Sequence, residues 1–319
     1  MNLFRRLFGH SQVKDMPGLL PAIERAINGV EPLIKQTRGY RGIYRKSVAT
    51  ALEYANSLAA SVPGPVIVNR ETYAKDPFVH ALFPSVDTVM EAFCASMAVR
   101  DYYRKFPYTG ELYALMGMRR VEKNIIGMEL ADETIQRDVM QKAIYFSNHT
   151  IENLAPTEKQ SRELIALSFF DKLVGKVKMR VEARKQQRQA QLQEKHLLTA
   201  RLRAADARTR PALEEKLSGM LASMQASAGS LDLRSYIEDF EAVLLNPEQH
   251  LRLNQIPIAL DSMGIRHDSV DANQDQAVLF SELVDFDRRN WTVTLVHCGN
   301  MQSKEFVIKL GKAYRKLSI

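Results

Sequence analysis

Residues 157–191 read TEKQSRELIALSFFDKLVGKVKMRVEARKQQRQAQ, and the stretch changes character halfway along. Thr157 followed by Gln160 has the form of a capping box, which announces a helix start after Pro156. Leu164, Leu167, Phe170, Val174, Val177 and Val181 then recur at three- and four-residue steps, so a helix gathers them on a face that can pack. From 182 to 191 no large apolar residue occurs. Its Arg, Lys, Gln and Ala residues favour helix by propensity, so the helix is expected to continue there without being core. Apolar spacing resumes at Leu192, Leu198 and Leu202 and, past Pro211, at Leu213, Leu217, Met220, Leu221 and Met224. A coiled-coil-like helical hairpin ending near 226–229 is the natural reading.

On the N-terminal side, Leu3, Phe4, Leu7 and Phe8 fall on one face of a helical turn beside Arg5 and Arg6. Two helices are expected between 19 and 61, because Pro21, Pro32 and the Arg38-Gly39-Tyr40-Arg41-Gly42 segment interrupt the pattern. Val66, Ile67 and Val68 suit a short extended piece, and Ser85 should cap a helix reaching about Lys105. Between 110 and 154, short apolar bursts at 112–118, 125–130 and 143–146 suit strands, while 132–142 reads as a possible helix.

On the C-terminal side, a helix over 233–245 leads to Asn246-Pro247-Glu248-Gln249, which has the form of a second capping box. Alternation at Val278, Phe280, Val284 and Phe286, and again at Trp291, Val293 and Leu295, predicts a β-hairpin, with 306–310 as a further strand. The expected class is therefore α+β and predominantly helical. Its parts are an amphipathic segment (1–10), a mainly helical body with a small β element (11–156), a long basic helix or hairpin (157–228), and a small α+β unit (229–319).

The chain has 319 residues and a formal charge of +7, distributed unevenly. Residues 1–46 carry nine Lys/Arg against three Asp/Glu, and 157–216 carry fifteen against eight, so these stretches hold +6 and +7. The stretches 47–156 and 217–319 each hold ten against thirteen, or −3. Two cysteines far apart, Cys94 and Cys298, make no disulfide framework or thiolate metal site and suit a reducing compartment. With no apolar run near the length of a spanning helix, the cytoplasm is the expected location, with membrane association as a variant.

The sharpest candidate for chemistry is Asp271, Asn273, Asp275 and Glu282, which match positions 1, 3, 5 and 12 of a calcium loop. Gln276 stands where that loop needs glycine, and the alternation after Ala277 argues strand, so an acidic turn before a hairpin is the preferred reading. His297 and Cys298, adjacent on a strand, point to opposite faces and do not form a nucleophile and base pair. No phosphate loop, dinucleotide fingerprint, zinc spacing or nucleophile elbow occurs, and neither an enzyme nor a cofactor is expected.

The strongest functional feature is the basic helix. Residues 176–210 contain eleven Lys/Arg, among them Lys176, Lys178, Arg180, Arg184, Lys185, Arg188, Lys195, Arg201 and Arg203. Such density attracts anionic surfaces over a screening length of about 8 Å. The expectation is a non-enzymatic binding or scaffolding protein that engages a protein partner, a second copy or an acidic surface through this projection. Nucleic-acid binding through phosphates is an alternative, although no aromatic residue lies in 176–210 to stack on bases. A third reading is a peripheral membrane protein held by Leu3, Phe4, Leu7 and Phe8.

Overall fold

The computed structural model describes residues 17–106, 110–131, 134–226, 235–260, 264–266, 277–285 and 290–299. In chain order these form α1 (Leu19–Val30), α2 (Tyr40–Ala60), β1 (Val66–Ile67), α3 (Arg70–Lys75), α4 (Pro77–Leu82), α5 (Val86–Ala95) and α6 (Met97–Lys105). The long strands β2 (Glu111–Ala131) and β3 (Thr134–Ala155) follow, then α7 (Glu158–Ala204), α8 (Arg210–Ala226) and α9 (Ser235–Leu244). The described elements end with β4 (Leu251–Ala259), β5 (Ile265–Arg266), β6 (Ala277–Asp285) and β7 (Asn290–Gly299). The chain divides into two compact units, Met1–Ala55 with Phe170–His250 and Asn56–Phe169 with Leu251–Ile319. The divisions fall inside α2 and α7.

The first unit is helical. Leu19, Ala22, Ile23, Ala26, Ile27 and Val30 give α1 its buried stripe, and Pro32–Gln36 follows as a 3-10 turn that buries Ile34. On α7 the buried positions here are Phe170, Leu173, Val174, Val177 and Val181. The Val174 side chain lies where a Cβ on Gly29 would be 3.2 Å away, so glycine lets α1 and α7 approach closely. Tyr44 and Phe240 meet edge to face at 4.6 Å, joining α2 and α9. Earlier along α7, Ile165 and Phe169 are buried whereas Leu164 is 40% exposed, so the packed face is rotated from the one the spacing suggested.

The second unit is built on a seven-stranded sheet ordered β4-β6-β7-β2-β3-β5, with β1 parallel to β7. Leu260, just beyond β4, bridges Arg266 of β5, so the sheet comes round to a nearly closed barrel. Leu112, Ala114, Met116 and Met118 of β2 share one buried cluster with Ile144, Phe146 and Ile151 of β3, Phe280, and Val296. Val79, Leu82, Val89, Phe93 and Val99 from α4, α5 and α6 close that cluster. Ser85 caps α5 with Thr88 as expected, but the helix stops at Ala95. Ser96 is extended there and its hydroxyl caps α6 instead, accepting from Val99.

The expected small β element and small C-terminal α+β unit are thus corrected. One large sheet unites strands from both ends of the chain, and the segment read as a possible helix lies largely within β3 from Thr134 onward. The bursts read as strands at 112–118, 125–130 and 143–146 do lie in β2 and β3, and two physical causes hid how far those strands run. Asp138, Asn148 and Asn153 of β3 have φ of 61°, 54° and 57°, and the β2–β3 register shifts break the period-two pattern. Beyond Met118 and Lys142, moreover, the described residues of β2 and β3 pair only with each other, so neither face need be apolar.

The strand β4 was not anticipated either. Its Pro257 weakens the strand reading, and the structure accommodates it on a strand that, among the described residues, pairs along its length with β6 alone. The expected β6–β7 hairpin is present, pairing Glu282 with Thr292 and Val284 with Asn290. The expected capping box at Asn246 is replaced by a 3-10 turn, Pro247–Gln249, in which the Asn246 side chain makes no cap bond. The expected segments at 1–10 and 306–310 lie outside the described residues.

Candidate functional site

The basic residues of α7 divide into an inward and an outward set. Arg184 donates to the Asp239 carboxylate at 3.0 Å and to the Ser235 carbonyl at 3.2 Å, while Arg180 reaches the same Asp239 oxygen at 3.3 Å. Asp239 is only 2% exposed, so the two guanidinium groups neutralise a buried charge. Lys185 donates to Glu31 at 2.7 Å, holding that carboxyl below its ordinary range; burial opposes this more weakly, and a bond from the Leu33 amide adds to the lowering. Arg188 reaches the carbonyl of Met224 on α8 at 3.4 Å. The decapeptide 182–191 contains no fully buried residue, as its composition requires, yet Arg184, Lys185 and Arg188 are half-buried and bonded within their own unit.

The outward set lies around the turn between α7 and α8. The two helices run antiparallel, with Leu198 and Met224 buried in the seam and Lys216 facing Glu194 at 3.8 Å. In the turn, Asp206 accepts from the Thr209 amide at 2.9 Å and hydroxyl at 2.6 Å, and these bonds lower its pKa. The acid of the turn is therefore used as a cap. Arg201, Arg203, Arg208 and Arg210 are all exposed, and among the described residues no acid pairs with them. Beside them Leu197 is 61% exposed, and Leu192 and Leu221 are partly uncovered, because a seam of two helices buries one stripe from each. Lys178 is exposed, while Lys176 and Lys195 are half-buried.

Of the calcium-loop candidates, Glu282 sits in β6 at 4% exposure, ion-paired with Arg120 at 3.0 Å, and Asp271, Asn273 and Asp275 lie outside the described residues. Among the described residues no group of three His, Cys, Asp or Glu is placed to hold a metal. Leu3, Phe4, Leu7 and Phe8 also lie outside them, and no described helix is long and apolar enough to cross a membrane. His297 faces Glu111 and stacks on Tyr113, while Cys298 is buried with its thiol pushed up by desolvation.

Among the described residues, clefts in the second unit include the following two. One of about 510 Å³ is lined by Asn56, Glu158, Lys159, Arg162 and Glu163. Its guanidinium is already engaged, since Arg162 donates to the carbonyls of Ala59, Val62 and Gly64 at 2.9, 3.0 and 2.9 Å and to Glu158 at 2.7 Å. The other, about 530 Å³, lies along His149, Thr150 and Glu152 of β3 and Thr88, Glu91 and Ser96. There the His149 ring stacks on Phe83 and bonds the Leu82 carbonyl through Nε2 at 2.9 Å, and burial lowers its pKa.

Sequence reasoning missed the acids that hold the inward set. Asp239 carried a signal, because it lies on the same face of α9 as Tyr236, Phe240 and Val243, where an acid is out of place unless paired. Glu31 carried none, being a lone carboxylate between two helices. Compared with protein-family models, with curated proteins and with solved structures, the chain matches none.

Proposed function

We propose that this is a non-enzymatic binding protein whose α7–α8 hairpin docks an acidic partner protein. What supports the reading is the distal turn, where four arginines remain without an acidic partner among the described residues and Leu197 is 61% exposed beside them. Arginines around an uncovered leucine combine charge steering with apolar area that a protein partner can bury. A phosphate backbone uses the arginines but gains nothing from the leucine, and 176–210 has no aromatic residue for bases.

The test uses the full chain and a variant with Arg201, Arg203, Arg208 and Arg210 changed to Gln. A fluorescein-labelled peptide of about twenty residues rich in Glu and Leu, and a duplex of about 20 base pairs, are titrated separately by anisotropy. The expected result is peptide binding with Kd of about 1–100 µM, weakened at least about tenfold in the variant. Peptide binding that ignores the four substitutions, or absent altogether, overturns the proposal. Tighter duplex binding with a steep salt dependence overturns it in favour of nucleic acid.

A further inference from the structure

The seam of the α7–α8 hairpin is apolar on one helix only. Between 186 and 204 the residues of α7 that are not exposed are Arg188, Gln191, Lys195, Leu198, Thr199 and Leu202. Between 211 and 225 those of α8 are Leu213, Leu217, Met220 and Met224. Thr199 aside, both sets advance by alternate steps of three and four, the spacing of a coiled-coil seam. α8 thus brings four apolar residues to the seam, whereas α7 brings Arg188, Gln191 and Lys195 at three of its five places. Leu198 and Met224 are buried, but Leu213, Leu217 and Met220 are only half-buried. A third helix would supply the apolar contact that α7 withholds.

The register fixes the flank on which such a helix fits. Viewed along one axis, antiparallel helices wind in opposite senses. Residues that follow a seam position therefore lie on one flank in both helices, and residues that precede one lie on the other. Glu194 and Lys216 precede Lys195 and Leu217, and their 3.8 Å ion pair spans one flank. Leu192 and Leu221 follow Gln191 and Met220, so they share the other flank, each 38% exposed.

That leucine flank is basic at its distal end. Arg203 follows Leu202, eleven residues beyond Leu192 and about 16 Å along the axis. Arg208 and Arg210 stand in the turn and at the start of α8. Glu214, which follows Leu213, is an acid between the two ends. At the base of the hairpin Lys185 follows Arg184 and donates to Glu31 at 2.7 Å, so there the chain's own acid takes up this flank.

Charge says what complements the distal part. Residues 1–16 carry three Lys/Arg against one Asp, 227–234 one against one, and 300–319 five against one Glu. The hairpin itself, over 182–226, carries nine against five. Neither these segments nor a second hairpin bring the excess of acid that the arginines of the turn call for. An acidic helix of another protein does, and acids at its N-terminal end also complement the helix dipole.

On the reading of the hairpin as a dock for an acidic protein, we propose that the partner presents one amphipathic α-helix that lies along the Leu192–Leu221 flank and completes a three-helix bundle with α7 and α8. Its acidic N-terminal turns meet Arg203, Arg208 and Arg210, and leucines about three turns later meet Leu192 and Leu221. The helix runs parallel to α8. Leu197 and Arg201 precede Leu198 and Leu202, so they lie on the other flank and are left to the remainder of the partner.

The test titrates the full chain with three fluorescein-labelled peptides of about twenty residues and equal composition, rich in Glu, Leu and Ala with one central Lys. The first carries Glu in its first two turns and Leu at three- and four-residue steps thereafter. The second reverses that order, and the third keeps the Glu in place but scatters the Leu off any common face. The first should bind about threefold more tightly than the second and at least about tenfold more tightly than the third, gaining helix by circular dichroism. Leu192→Gln and Leu221→Gln, at part-exposed positions, should each weaken it about fivefold or more, and Leu197→Gln less than about twofold. If the third peptide binds as well as the first, or the two leucine variants bind as wild type does, while the four arginine substitutions still weaken binding, the dock stands and the helix is overturned. A second peptide as tight as the first overturns the direction. Binding of no peptide overturns both the dock and the helix. A dimer of the chain in sedimentation that Leu221→Gln abolishes overturns the helix in favour of a second copy.

Discussion

Arg184 on α7 and Asp239 on α9, 55 residues apart in sequence, form a 3.0 Å ion pair in which the carboxylate is almost wholly withdrawn from water. The pair takes a residue from the most polar stretch of the chain and uses it to secure a helix. One oxygen of Asp239 receives both Arg180 and Arg184, while its buried Oδ2 has no hydrogen-bond partner. Removing the charge leaves two guanidinium groups without their counterion. Asp239→Asn should therefore destabilise the protein by about 2–3 kcal/mol, measured as a fall in the urea midpoint with an unchanged slope. A midpoint within error of wild type would mean that solvent serves the arginines as well as the carboxylate does.

Glu31 and Lys185 make the first unit sensitive to acid. The folded pKa of Glu31 is depressed, chiefly by the bond from Lys185. By linkage, its stabilisation is complete above the unfolded value of about 4.3 and is lost as pH falls through the folded value. Glu24, held at about 2 by Tyr40, Lys35 and Arg41, extends the same loss to lower pH. Thermal melts below about pH 4.3 should show Glu31→Gln losing less stability with falling pH than wild type does. Parallel curves would remove Glu31 from the account.

His149 acts in a higher pH window. Burial lowers its folded pKa, and the neutral ring stacks on Phe83. An unfolded chain binds the proton more readily, so stability should decline as pH falls below about 6.5, the unfolded value. In His149→Phe, which keeps an aromatic ring beside Phe83, that part of the decline should vanish. A decline retained in full would have to come from other groups.

Arg162 serves as a cap assembled from outside the helix it caps. Its fork satisfies carbonyls at the end of α2 and in the turn beyond, which one ammonium group cannot do with the same geometry. Arg162→Lys should cost about 2 kcal/mol and raise hydrogen exchange in the last turn of α2. Unchanged exchange there would show that water replaces the guanidinium.

Gly64 is the position least able to carry a side chain. Its φ is +109°, and a Cβ would lie 2.2 Å from the Leu295 carbonyl oxygen. The Leu295 amide meanwhile donates to Pro63 at 2.8 Å, so this turn is fastened to β7. Gly64→Ala should destabilise by at least about 2 kcal/mol in chemical denaturation. A neutral result would require the turn to leave β7.

Local chemistry alone determined a good part of this molecule. The Thr157 box precedes α7 and its hydroxyl accepts from the Gln160 amide at 3.3 Å. Ser85 starts α5, and alternation marks β6 and β7. Each rests on contacts within a few residues, so spacing is sufficient to reveal it. The absence of large apolar residues from 182 to 191 likewise decided that this stretch of α7 could not be core.

Tertiary structure decided the rest. Apolar bursts marked parts of β2 and β3, but their full length, the 134–142 part of β3 and all of β4 became legible only as members of one sheet. Bulges at Asp138, Asn148 and Asn153 break the alternation of β3, and towards the hairpin tip, over 124–128 and 136–142, no residue is buried to enforce one. The same holds for the charges. A lysine or arginine looks identical in sequence whether it meets solvent or a buried carboxylate, and the partners of Arg184 and Lys185 lie 55 and 154 residues away. Folding alone separates the arginines that secure α9 from those at the α7–α8 turn that meet no acid among the described residues, because pairing depends on distance in space.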